Sequence, residues 1–498
     1  MSASPTSDPG REQRRAADPS ASVWVAASAG SGKTKVLTDR VLNLMLGGTP
    51  PEKILCLTFT KAAAAEMANR VNETLEVWAI SDDSGLAEAL GELTGRAADG
   101  DELRRARRLF ARVLDAPGGL KIQTIHSFCE SLLKRFPLEA NLAPHFEVMD
   151  DRSAAELLQA ARDAVLARAV RDRRLAASLA NVTGHVQEET FAKLMAILAR
   201  ERGRLDRIIT EYGDTAGAAE AVDRLLGLGE GTNEATVLRE ASRNGAFDRA
   251  GLKRAADTLL ASKSAGDRSK GQRITDWLAA GLDDRVREFD LYCGAYLTRK
   301  GEPLKTPATK PVLDEDPALG GVLAGEADRL IAALERRRAA ITARATAGLL
   351  HLGAALAEEY RRAKDALARL DYDDLIYKAQ ALLAKTGAAW VLYKLDGGID
   401  HILIDESQDT NPEQWEVVRA LAAEFFAGEG AQEEARTVFA VGDSKQSIFS
   451  FQRADPEAAE HMRRHFAERA PAAGKDWREV LIDISFRSTE AVLGAVDA

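Results

Sequence analysis

One stretch near the start of the chain constrains its fold more than any other. Val23 to Arg40 reads VWVAASAGSGKTKVLTDR: an apolar run (Val23 to Ala26) gives way to small residues and then to a pattern with Leu37 and Val41 on one helical face. That is strand, tight loop, helix. In Ala27, Ser28, Ala29, Gly30, Ser31, Gly32, Lys33, Thr34 the small side chains let successive N–H groups and the helix N-terminus face one phosphate. Lys33 then supplies a mobile cation and Thr34 a Mg²⁺ ligand. Ala27 stands where such loops usually begin with Gly; an ordinary glycine-rich turn is the plainer alternative.

Strand-like runs recur on both sides of a long middle region. Ile54 to Phe59 (ILCLTF) is continuously apolar, as a parallel strand buried on both faces would be. It leads into Thr60, Lys61 and an alanine-rich helix, where Thr60 either caps the helix or takes a nucleic-acid phosphate. A third short strand, Leu120 to Thr124, precedes Ile125, His126, Ser127 and Phe128. Thr124 and His126 there read as phosphate or base contacts at the carboxyl end of a sheet, or as capping and core residues.

From about Asp150 to Leu370 alanine, leucine, arginine and glutamate dominate with apolar residues three and four apart, which predicts a helical insertion. Two Lys- and Arg-bearing segments, Lys263 to Arg273 and Arg299 to Pro317, read as solvated loops inside it or as contacts to a nucleic-acid backbone. The sheet pattern is expected to return at Asp371 to Ile376 and then at His401 to Ile404, directly followed by Asp405 and Glu406. Two carboxylates after a buried strand read as a solvated strand end or, beside a phosphate loop, as its complement, in which Asp405 would hold Mg²⁺ through water and Glu406 would polarise the attacking water. A further strand from Thr437 to Val441 runs into Gln446, a γ-phosphate contact, and into Phe449 and Phe451, which read as base-stacking faces or as core. A last strand, Val480 to Ile484, precedes Ser485, Phe486 and Arg487.

Composition excludes little. The net charge of −10 offers no global basic field, yet an acidic protein can carry a basic groove. Three scattered cysteines (Cys56, Cys129, Cys293) are too few for a disulfide framework or zinc site, which suits a reducing cytoplasm. No run of 18 or more apolar residues occurs, so no membrane partner is expected. The first twenty residues read as a flexible tail, with Gln13 placed about twenty residues ahead of Lys33, within reach of an adenine edge.

Taken in order, these motifs resemble the superfamily 1 DNA helicases of the UvrD, Rep and PcrA type. AASAGSGKT looks like motif I, LTFTKAAAAEM Ia, IQTIHSFC Ib, ILIDESQDTNPEQW II, VGDSKQSIFSFQRA III and ISFRS IV. WVAASAGSGKTKVLTDRVL, ILCLTFTKAAAAEM and YLTRKGEPLKT are more similar still to the AddA family of double-strand-break repair helicase-nucleases. The resemblance implies an α/β fold: a RecA-like phosphate-loop domain with a parallel sheet (21–150 and 371–480), interrupted by an all-helical insertion (151–370), with a second RecA-like domain starting at 481–498.

It implies ATP and Mg²⁺ as ligands, single-stranded and duplex-end DNA as partners, an AddB-type partner protein, and 3′ to 5′ movement. Gln13 would read adenine with Phe486 stacked on it, while Lys33, Thr34, Asp405 and Glu406 would serve Mg-ATP. Gln446 and Arg487 would sense the γ-phosphate, and Thr60, His126 and Phe451 would line single-stranded DNA. Phe451 and Gln452 stand where UvrD-like proteins usually have Trp and Arg, so stacking survives but the arginine's contact does not. Family members continue with motifs V and VI and, in AddA, a nuclease domain. The expectation is therefore the N-terminal part of a longer motor; the rival is a module that binds ATP and DNA with almost no hydrolysis. The coiled-coil heptads and Leu-Ser-Gly-Gly signature of a chromosome-maintenance ATPase are not found.

Overall fold

A computed structural model of the chain describes residues 9–28, 30–386, 391, 394, 398–426, 436–447 and 455–484. The chain divides into two compact units, one built from Met1–Asp151 with Ala368–Ala498 and the other from Arg152–Leu367.

The first unit is built on a six-stranded sheet. Its strands are β1 (Ser22–Ala27), β2 (Ile54–Thr58), β3 (Lys121–Thr124), β6 (His401–Ile404), β7 (Thr437–Gly442) and β8 (Trp477–Ile482). Their order is β3-β2-β6-β7-β1-β8 and every pairing is parallel. Alternate residues of the four inner strands, β2, β6, β7 and β1, feed opposite cores, because side chains leave a strand with a period of two. Trp24, Leu55, Leu57, Ile402, Ile404, Val438 and Ala440 enter one core, where Trp24 stacks on Trp415 at 5.7 Å. Val23, Val25, Ile54, Cys56, Leu403, Phe439 and Val441 enter the other. Burial on both faces is why these inner strands carry little polar alternation, unlike the edge strands β3 (KIQT) and β8 (WREVLI). The architecture is α/β, a RecA-like parallel sheet with helices on both faces and long helical segments between its strands. All three cysteines are buried and unbonded.

Two local expectations are corrected in this unit. Asp371 to Ile376 is not a strand: helix Tyr372–Thr386 begins there, its start closed reciprocally by Asp374 N to Asp371 Oδ1 (2.9 Å) and Asp371 N to Asp374 Oδ2 (3.1 Å). Just before it lies β5 (Arg369–Leu370), paired in parallel with β4 (Glu147–Val148), a two-residue clasp where the chain leaves and re-enters this unit. The N-terminal segment is not wholly a tail, since Pro9–Ala17 is a helix with Gln13, Ala16 and Ala17 buried. Arg40, fully buried, holds that helix: its guanidinium donates to the carbonyls of Ala16 (3.1 Å), Asp18 (2.7 Å) and Ala21 (2.6 Å) and to Thr437 Oγ1 (3.0 Å). Asn43 Nδ2 adds a bond to Ala17 O at 3.1 Å. Carbonyls at a helix end have no intrahelical partner, and Arg40 and Asn43 supply one. Burial pushes the Arg40 pKa down to about 9, which leaves it charged at neutral pH.

The second unit is helical throughout its described elements, from Asp151–Ala169 to the 50-residue helix Pro317–Ala366. An 18-residue window of that long helix, mean hydropathy 1.2, is apolar enough by length and composition to cross a membrane. Of that window 33% is buried, and nearer the start of the helix Leu319, Leu323 and Leu330 join the Trp277, Phe289 and Tyr292 core. At Gly348 the helix passes so close to Arg173–Thr183 that a Cβ would lie 2.7 Å from Ser178 O. The expected Lys263–Arg273 loop is mostly helix Ala265–Ala279. Lys270 Nζ on it donates to Pro307 O (2.7 Å), and Asp267 accepts from Thr309 Oγ1 (2.6 Å), which pins the Arg299–Pro317 segment down.

Candidate nucleotide site and adjoining sheet edge

Because all six strands run the same way, their carboxyl ends share one edge, where open α/β sheets bind ligands. The loops after β1, β6 and β7 are neighbours there, since those three strands are consecutive in the sheet.

The loop after β1 is anchored to strand β8 by Ser28 N to Ile482 O at 3.0 Å and turned by Ser31 N to Ser28 O at 3.2 Å. Ala27 ends β1 and Ala29 lies outside the described residues. Gly30 and Gly32 have φ of +75° and +90°, conformations that a side chain strains. At Gly32 a Cβ would also come within 3.0 Å of Gln13 Nε2. Gln13, 6% exposed, donates from that nitrogen to Ser31 O at 3.1 Å, so the N-terminal helix braces the loop. Ser31 is fully buried, and its hydroxyl finds no hydrogen-bond partner among the described residues. The helix Lys33–Leu46 starts at the lysine, with Thr34 in its first turn.

Across the edge Lys33 Nζ meets Glu406 Oε2 at 2.7 Å, joining the loops after β1 and β6. Glu406 sits at φ +48°, left-handed backbone that a non-glycine residue adopts at a cost of about 1–3 kcal/mol. Asp405 is tied down by its own N–H to Leu57 O (2.9 Å) and accepts from Glu406 N (2.9 Å). Burial, then the charge of Glu406, pushes the Asp405 carboxyl up to about 6. After β7, Gln446 Nε2 donates to Asp443 Oδ2 at 2.7 Å. Two residues that sequence reading passed over, Gln408 and Asp443, sit between these loops. Gln408 Nε2 donates to Glu406 Oε2 and to Asp409 Oδ2, both at 2.9 Å, and its Oε1 accepts from Asp443 N at 2.9 Å.

Farther along the edge, after β2 and β3, lie the other expected contacts. Thr60 is exposed and caps helix Lys61–Ile80, accepting from Ala63 N at 3.0 Å; Lys61 beside it is exposed too. Thr124 is buried and caps Ile125–Arg135, accepting from Ser127 N at 3.2 Å. The His126 ring meets Tyr372 edge-on at 5.5 Å. His126, Phe59, Thr58, Asp405 and Gln414 line a narrow cleft with about 20 Å³ of free space, room for one water. The structure thus brings Gln13, Ser31, Lys33, Asp405, Glu406 and Gln446 to one edge. Phe449, Phe451, Phe486 and Arg487 lie outside the described residues.

A family model described as the UvrD/REP helicase N-terminal domain matches residues 10–261 and 323–467. Three curated proteins, each named as a subunit of an ATP-dependent helicase/nuclease, are similar along nearly the whole chain. That of Pelotomaculum thermopropionicum is 28% identical over 95% of this chain and 37% of its own length. That of Desulforudis audaxviator is 29% identical over 95% and 38%, and that of Bacillus pumilus 25% over 95% and 38%. The chain spans less than two fifths of the length of these relatives.

Proposed function

The chain belongs to the UvrD/REP helicase N-terminal domain family, and from that premise we propose that it is the ATP-binding part of a DNA motor. In this reading the motor hydrolyses ATP, moves 3′ to 5′ along single-stranded DNA, and serves double-strand-break repair beside an AddB-type partner. The observation that carries the proposal is the 2.7 Å pair between Lys33 and Glu406, residues far apart in sequence that the parallel sheet sets face to face at its ligand edge.

Each residue then has a task. Gly30, Ser31, Gly32 and Lys33 cradle phosphate through backbone N–H groups and the ammonium, together with Ala27, Ser28 and Ala29. Gln13, with Phe486, reads adenine. An arriving phosphate competes with Glu406 for Lys33, which releases the carboxylate to take a proton from the attacking water. Gln446 and Arg487 meet the γ-phosphate. Thr60, Lys61, Thr124, His126, Phe449 and Phe451 are assigned to the DNA strand, Thr124 through the helix N-terminus it caps.

Among the described residues no cluster of three or more His, Cys, Asp or Glu is placed to hold a metal ion. That suits Mg²⁺, which keeps one or two protein oxygen ligands and takes the rest from phosphate and water. The Thr34 hydroxyl and the Asp405 carboxylate would hold it, and a cation there would offset the burial that now raises the Asp405 pKa. When bound, the ion neutralises charge on the phosphates.

The test is DNA-stimulated ATP hydrolysis by the full-length protein, with the affinity of a fluorescent ATP analogue measured in parallel. Glu406→Gln should keep analogue affinity while hydrolysis falls about 10²- to 10⁴-fold, the usual worth of a general base. Lys33→Ala should lose both. Equal rates for the parent and Lys33→Ala would sink the proposal, whereas nucleotide-dependent DNA binding without turnover would recast the chain as a binding module.

A further inference from the structure

Gln408 has a set of partners that a glutamine placed only for packing would not need. The residue is 4% exposed, and among the described residues its three side-chain hydrogen bonds run to loops of the nucleotide edge. The two amide hydrogens go to carboxylates on its own loop, Glu406 Oε2 and Asp409 Oδ2, each at 2.9 Å. The amide oxygen accepts the backbone N–H of Asp443, at the end of β7, at 2.9 Å. Only one orientation of the amide satisfies these groups, because two carboxylates require donors and an N–H requires an acceptor. The contact is also close: a Cβ at Gly442 would lie 2.5 Å from Gln408 Oε1 and 2.3 Å from Ser407 Oγ. Glycine at 442 is what allows the β7 loop to approach this amide.

The same Glu406 oxygen receives both Lys33 Nζ and Gln408 Nε2. When a phosphate draws Lys33 away, Gln408 is the partner that remains. Its other end is fixed to Asp443, whose carboxylate in turn holds the Gln446 amide at 2.7 Å.

We propose that Gln408 is a positioning residue for hydrolysis: it holds Glu406 in place and ties that carboxylate to the β7 loop carrying Gln446. The proposal rests on Glu406 being the water-activating base. In this role Gln408 acts through Glu406 and not on the substrate itself.

That dependence supplies the test, made on DNA-stimulated ATP hydrolysis and fluorescent-analogue binding by the full-length protein. Gln408→Ala should lower kcat at least about ten-fold with KM and analogue affinity within about three-fold, because the loss falls on the reacting step rather than on binding. Gln408→Glu keeps the shape and the acceptor for Asp443 N but points an oxygen instead of a donor at two carboxylates. It should fall at least as far, and it reads the proposal even where the alanine variant does not fold. Combined with Glu406→Gln, either change should add less than about two-fold, since residues acting as one unit are not additive.

A variant that binds the analogue yet keeps kcat within about two-fold of the parent overturns the proposal, as does full additivity with Glu406→Gln. In both cases a rate abolished by Lys33→Ala shows that the functional reading itself stands. Rates indifferent to Lys33 would remove that reading and this proposal together.

Discussion

The two units use polar chemistry differently. In the sheet-containing unit, polar side chains at the carboxyl edge, buried in Gln408 and Asp443 and half-buried in Lys33 and Glu406, bridge loops from distant parts of the sequence. In the helical unit the bridges join neighbouring helices and serve packing. Glu326, buried, accepts from Tyr292 Oη at 2.7 Å and from Arg329 at 2.7 Å, under a stack of Trp277 on Tyr292 at 3.9 Å. A parallel sheet sends every strand's end to the same place, so a residue's position along its strand already says which edge it reaches. A bundle has no such edge. Gln408 and Glu326, both buried, therefore carry a functional reading in one unit and a packing reading in the other.

The contrast can be broken most forcefully at Arg40. Arg40→Ala would leave the carbonyls of Ala16, Asp18 and Ala21 without their buried donor, costing about 3 kcal/mol or more. It should also weaken ATP-analogue affinity by loosening the helix that carries Gln13. Arg40→Lys should not restore either property, because an ammonium cannot reproduce the fork. Denaturant unfolding and analogue titration measure the two effects; affinity unchanged in a destabilised Arg40→Ala protein would show that the N-terminal helix is scaffolding only.

Next come two glycines with similar steric limits. A Cβ meets Ser407 Oγ at 2.3 Å at Gly442 and Ser178 O at 2.7 Å at Gly348, so alanine at either should cost about 1–3 kcal/mol by overpacking. Only Gly442→Ala should slow hydrolysis, and Gly348→Ala should leave analogue affinity at the parent value. Equal functional losses would erase the distinction between the units.

The smallest effect is a pH dependence within the helical unit. His351 Nδ1 lies 2.8 Å from Ser178 Oγ, and burial, followed by the charge of Arg174 and then of Arg168, lowers its pKa against an opposing pull from Asp172. The fold thus favours the neutral ring. Its contribution is complete above the ordinary histidine value and is lost as pH falls through the lowered one. With solvent screening the loss should stay well under about 1 kcal/mol. His351→Gln should flatten the stability profile between pH about 7 and about 5; an unchanged slope would assign that dependence to other groups.

The strands were legible because residues buried on both faces leave continuous apolar runs, as in ILCLT and HILI. Asp371 to Ile376 misled for the same reason in reverse. Six residues are too few to separate a strand from the first turns of a helix, and the deciding fact is the reciprocal bonding of Asp371 and Asp374. The charged N-terminal segment read as a tail because its burial depends on Arg40, more than twenty residues later. Lys33, Asp405 and Glu406 stood out as residue types with a known use for phosphate. Gln408 did not, since nothing in a glutamine's sequence context says that three partners will converge on it.

The strand order has a consequence for how the protein is made. β1 carries the Lys33 loop, yet its neighbours are β7 and β8, whereas β2 pairs with β3 and β6. A ribosome adding about 5–20 residues per second therefore needs roughly 20–80 s, for some 400 residues, before β1 meets its first partner. Closing so long a loop costs only about 0.6 kcal/mol more than closing one of half its length. What it imposes is a schedule: an apolar strand made among the first stays unpaired until some 400 further residues have been synthesised, and nascent-chain chaperones are its natural guardians.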